Sequence, residues 1–131
     1  MREIKFRAWD KEKKEMGKPF GIYCTLLPLI YRETKIIMQF TGLKDKNRKE
    51  IFEGDVVEMF FNDKKGIVKG IIEWKQEECE FIINVDWTIN DGSGGATYCT
   101  LGHYLLKNNK FDKVEIIGNI YENPELLEKT K

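Results

Sequence analysis

Of the 131 residues, only three are cysteine and one is histidine. Cys24, Cys79 and Cys99 form an odd set without Cys-x-x-Cys spacing, which fits a reduced protein better than a disulfide framework. A zinc site would have to gather ligands from distant segments, with His103 the single imidazole available. His103 has no partner at a triad spacing, and no Ser, Thr or Cys stands in a nucleophile elbow, so no catalytic residue, metal site or cofactor is expected. Cys24 lies in the apolar stretch Tyr23 to Ile30 and reads as a core side chain. No apolar run approaches the ~20 residues of a spanning helix, so no membrane association is expected. Charges begin at Arg2 and Glu3 without an apolar leader, and the expected compartment is cytoplasmic.

Net charge is also absent, with 22 Lys/Arg against 22 Asp/Glu, which argues against a generic polyanion binder. The balance is not local. Residues 1–75 hold 17 basic and 12 acidic side chains, and residues 76–131 hold 5 and 10, so the halves carry +5 and −5. Such a split lets unlike surfaces attract, unless folding mixes the charges. Hydrophobic residues make up 41% and aromatics 12%, enough for a core in a chain of one-domain size.

The pattern is that of β structure. Ile4, Phe6 and Ala8 alternate with Glu3, Lys5 and Arg7, which predicts a half-buried first strand. Residues 10–18 read as a loop, and Pro19, Gly21 and Pro28 make residues 19–35 extended or irregular. Ile36 to Thr41 predicts a second strand. Asp45-Lys46-Asn47-Arg48 predicts a turn, because Asp and Asn bond to nearby backbone amides. Val56 to Phe61 and Ile67 to Trp74 predict a hairpin closed by residues 62–66, with a bulge or bend at Gly70. Phe81, Ile83, Val85 and Trp87 alternate along a further strand. Thr88 to Thr97 reads as a mobile polar loop, since its glycines fit neither a dinucleotide fingerprint nor a P-loop and its acids miss the calcium-loop positions. Leu101, Tyr104 and Leu105 suggest a helical turn. Val114 to Tyr121 predicts a last strand with a bulge at Gly118, and Asn123-Pro124-Glu125 starts a short helix with Asn as its cap. The expected fold is all-β: residues 1–50 an N-terminal β extension, 51–121 an SH3-like barrel or roll, and 122–131 a short helix and tail.

Two basic clusters are candidate binding groups. Lys5, Arg7 and Trp9 share one face of the first strand, where cations beside an aromatic suit a phosphate backbone and a stacked base. Lys64, Lys65 and Lys69 form the second, at the hairpin. Trp9 is better explained as a core or interface side chain. Glu53 and Asp55 offer paired carboxylates for acid–base or metal chemistry, but Asp55 is better explained by the turn at Gly54.

The block Thr41-Gly42-Leu43-Lys44-Asp45-Lys46-Asn47-Arg48-Lys49-Glu50-Ile51-Phe52-Glu53-Gly54-Asp55-Val56-Val57 resembles the signature block of the YopX family. Val114-Glu115-Ile116-Ile117-Gly118-Asn119-Ile120-Tyr121-Glu122-Asn123-Pro124-Glu125-Leu126-Leu127 resembles its C-terminal block, and Arg2 to Asp10 fits its opening. The family usually has Gly where this chain has Arg48, a residue expected to resist positive φ. The resemblance implies a small SH3-like-barrel protein of phages and prophages of Gram-positive bacteria, located in the host cell, with no activity to carry over. The expected role is non-enzymatic, by self-assembly as a homo-oligomer or by docking a host or phage protein. The alternative is a small nucleic-acid-binding β-barrel module.

Overall fold

A computed structural model describes residues 3–21, 34–60, 67–101 and 114–128. Cys24, Lys64, Lys65, His103, the 62–66 hairpin connection and the turn expected at Leu101 to Leu105 lie wholly or largely outside the described residues.

The described chain is all-β, with two antiparallel sheets that curl into a half-barrel. The first sheet is built on β1 (Lys5–Asp10), which pairs with β2 (Glu15–Met16), β3 (Phe20–Gly21) and β4 (Lys35–Lys44), and β4 pairs with β5 (Glu50–Phe52). The second has the order β10-β6-β7-β8-β9, from β6 (Asp55–Phe60), β7 (Ile67–Lys75), β8 (Glu80–Asp86), β9 (Ala96–Thr100) and β10 (Glu115–Asn119). Glu53 and Gly54 form the turn between them, and Gly54 takes φ +83°, which glycine adopts without penalty.

The predicted alternation positions the core. Val57, Met59, Ile72, Ile83 and Val85 meet Ile51, Leu101 and Val114 in one buried cluster, with Phe81 and Trp87 packed against it. Val56 and Val57 point to opposite faces of β6, yet both are fully buried, so this strand is covered on both sides.

Six local expectations change. β2 lies within the segment 10–18 read as a loop, and Trp87 leaves the strand, which ends at Asp86. Gly70 makes no bulge: it stands in regular register opposite Val57, and its missing Cβ leaves room for the Ile83 side chain across the sheet. The expected loop at Thr88 to Thr97 is more ordered. Asp86 caps a one-turn helix, α1 (Trp87–Asn90), its Oδ1 accepting the Thr88 N–H at 2.8 Å, while Ile89 is buried and β9 begins at Ala96. Arg48 accepts the left-handed conformation at φ +63°, because Asp45 Oδ1 holds the flanking amides of Asn47 and Lys49 at 2.8 and 2.9 Å. The last element is a 3-10 helix, Pro124–Leu127, with Asn123 at its N-cap position but without a capping bond from its side chain. Asn123 Oδ1 instead accepts the Asn119 N–H at 3.2 Å. The bulge at Gly118 is present, between Ile116 and Gly118 of β10.

Gly70→Ala should lower stability by about 1–3 kcal/mol, since a methyl there overpacks against Ile83. Urea unfolding measures this, and an unchanged midpoint would show that the sheet yields freely at that point.

Candidate interaction surface

The cationic face of β1 turns inward. Arg7 reaches across to the start of β6, where its Nη2 lies 2.7 Å from Asp55 Oδ1 and donates to the Glu53 carbonyl at 3.3 Å. Asp55 is 1% exposed and its second oxygen accepts the Phe52 N–H at 2.8 Å. Burial pushes the Asp55 carboxyl above its ordinary value, against the downward pull of the Arg7 charge and the Phe52 amide. The Arg7 guanidinium lies 4.8 Å from the Phe52 ring centroid, a cation–π contact, while Arg7 Nε has no acceptor among the described residues.

Trp9, 9% exposed, stacks on Tyr121 with centroids 5.7 Å apart. Lys5 pairs with Glu50, and with Glu3 at 2.9 Å. Lys69 Nζ donates to the Leu126 carbonyl at 3.3 Å. The structure thus brings Lys5, Arg7 and Trp9 together, each with a partner inside the chain, and places Lys69 apart from them against the C-terminal helix. Sequence reasoning missed Tyr121 and the acceptor role of Glu53, whose Oε1 takes the Gln39 N–H at 2.8 Å. No local pattern signals either, because the partners come from different strands.

The other carboxylates that invite a chemical reading hold the backbone as well. Asp45 is buried, and its Oδ2 accepts the Ile116 N–H at 3.0 Å, tying the β4–β5 turn to β10. Cys99 is half-buried, and burial pushes its thiol up to about 11, so the thiolate is scarce at neutral pH. Among the described residues no group of three His, Cys, Asp or Glu is placed to hold a metal ion.

The unsatisfied surface is at the far end of the β7–β8 hairpin. Trp74 is 42% exposed and stands in register with Phe81, their rings edge to face at 5.0 Å. Together with Thr41, Leu43 and Leu101 they line an open groove of about 310 Å³ between this hairpin and β4. The turn at its rim, residues 76–79, is exposed and carries Glu77 and Glu78. On the outer face of this sheet Tyr98 of β9 is 44% exposed, its ring under Lys75 Nζ at 3.7 Å and its hydroxyl donating to Glu78.

The molecule is therefore an all-β half-barrel whose charged interior ties its sheets together and whose aromatic hairpin end is left open. The family model described as YopX protein matches residues 22–128, and the chain belongs to the YopX family. It is also similar to protein EF1440 from Enterococcus faecalis: its crystal structure aligns with a TM-score of 0.55 and 27% identity, over 95% of this chain and 98% of that one. No curated protein matches the chain.

Burial pushes the Glu53 carboxyl above its ordinary 4.5, opposed by the Gln39 amide. The folded chain then keeps this proton after the unfolded chain has lost it. Stability from this group is present below pH 4.5 and lost as pH rises through the raised value. Glu53→Gln keeps the acceptor and removes the titration. Its urea midpoint relative to wild type should rise as pH increases from about 4 to 7. A difference that stays constant with pH would contradict this reading.

Proposed function

We propose that this YopX-family chain is a non-enzymatic phage or prophage accessory protein that acts in the host cytoplasm through protein contact. The observation that carries the reading is the Trp74–Phe81 groove. An exposed tryptophan beside an apolar cleft with charged groups at its rim is the composition of a protein-binding hot spot. The buried Asp55 and Asp45 support the same reading, since each is held by the backbone amides that a structural carboxylate needs. The phage setting rests on the family resemblance.

A nucleic-acid-binding module is the second reading. Its strongest candidates, Lys5, Arg7, Trp9 and Lys69, already have partners within the chain, which leaves less of them for a phosphate backbone.

Native mass spectrometry of the tagged protein recovered from its own host cells should give a discrete multiple of 15.5 kDa or a defined complex with another protein. Trp74→Ala should abolish that mass while Ile67→Ala, exposed at the opposite end of β7, preserves it. Recovery of the 15.5 kDa chain alone, or of complexes containing only nucleic acid, would contradict the proposal.

A further inference from the structure

The groove has an acidic rim, and the same chain carries an exposed surface of opposite sign. The turn after β1 presents Lys11, Lys13 and Lys14, and Lys18 follows β2; all four are exposed, against two acids, Glu12 and Glu15. None of these four lysine ammonium groups makes an ion pair among the described residues. The turn is well built. Asp10 Oδ1 accepts the amides of Glu12 and Lys13 at 2.9 and 3.0 Å, and Lys14 takes φ +55° to bring the chain back into β2. A protruding basic hairpin held by its own hydrogen bonds loses little conformational freedom on docking. Met16 at its base adds a flexible apolar side chain suited to an aromatic-lined cleft.

Building on the protein-contact reading above, we propose that the groove's occupant is the basic β1–β2 hairpin of a second copy of this chain. Lys13 and Lys14 face Glu77 and Glu78 across the contact, and Met16 approaches Trp74 and Phe81. The surfaces are unlike, so one contact joins two copies head to tail. Two such contacts related by a two-fold axis close a dimer, and other rotations give a ring or a longer chain. The charge split along the sequence then has a physical role: the basic part of one copy steers towards the acidic part of the next. The attraction comes from exposed groups, so it weakens as salt shortens the Debye length.

Sedimentation velocity of the full chain tests this. Wild type at low salt should sediment as a multiple of 15.5 kDa and move towards monomer as salt is added. The double variants Lys13→Glu with Lys14→Glu, and Glu77→Lys with Glu78→Lys, should each weaken self-association by about tenfold or more. An equimolar mixture of the two should restore it, because each reversed surface then finds its complement. Thermal unfolding checks that both variants are folded.

A wild-type chain that stays at 15.5 kDa over all concentrations would overturn the inference, as would an oligomer indifferent to salt and to both charge reversals. A mass gain that requires added single-stranded DNA would overturn it in favour of the nucleic-acid reading. A monomer that still binds a synthetic peptide of residues 9–20, with a change in fluorescence lost in Trp74→Ala, would overturn self-assembly yet leave the protein-contact reading standing.

Discussion

Arg7 and Asp55 are 48 positions apart in the chain and 2.7 Å apart in space. One belongs to β1 of the first sheet and the other begins β6 of the second. Taking both charges out of water is costly, and the attraction between them offsets that cost only when geometry and further hydrogen bonds are good. Here they are. Asp55 also accepts the Phe52 amide, Arg7 also reaches the Glu53 carbonyl, and the guanidinium lies over the Phe52 ring. The chief effect of such a pair is geometric. It admits one placement of β1 over the β5–β6 turn, because any slip leaves a buried charge alone.

Several other contacts depend on that placement. Gly54 fits its turn between Met38 of β4 and Tyr121 beyond β10, so the junction is also where strands from both sheets converge. Tyr121 then stacks on Trp9 from the outside of the same junction. Asp45 closes the opposite side by bonding Ile116, and Asn119 holds the amides of Tyr121 and Glu122 to turn the chain after β10. These polar side chains are buried and bonded chiefly to backbone, which gives specificity to an otherwise interchangeable β-branched core.

The strands were legible because their alternation is local: Ile83 and Val85 declare one face of β8 without reference to any other segment. The turns at Asp45 and Asp55 were legible for the same reason, since each carboxylate bonds amides within four residues. The site was less so. Alternation tells that Lys5, Arg7 and Trp9 share a face, not what covers it, so the cations read as candidate binding groups. Arg48 shows the limit of backbone propensity, as two short hydrogen bonds from Asp45 to its neighbours outweigh the strain of a positive φ. Thr88 to Asn90 shows another, as a cap from Asp86 and the burial of Ile89 suffice for a helical turn in a polar, glycine-flanked stretch.

The molecule divides between a charged interior, where groups that look reactive hold the junction, and a hairpin end where Trp74 and Tyr98 are left exposed. The central structural claim is that Arg7 and Asp55 act on each other rather than separately. A double-mutant cycle with Arg7→Met, Asp55→Asn and the double variant, followed by urea unfolding at neutral pH, measures this directly. The account predicts a coupling energy of about 1–3 kcal/mol. Additive effects, with coupling near zero, would contradict it and would mean that the two groups stabilise the junction independently.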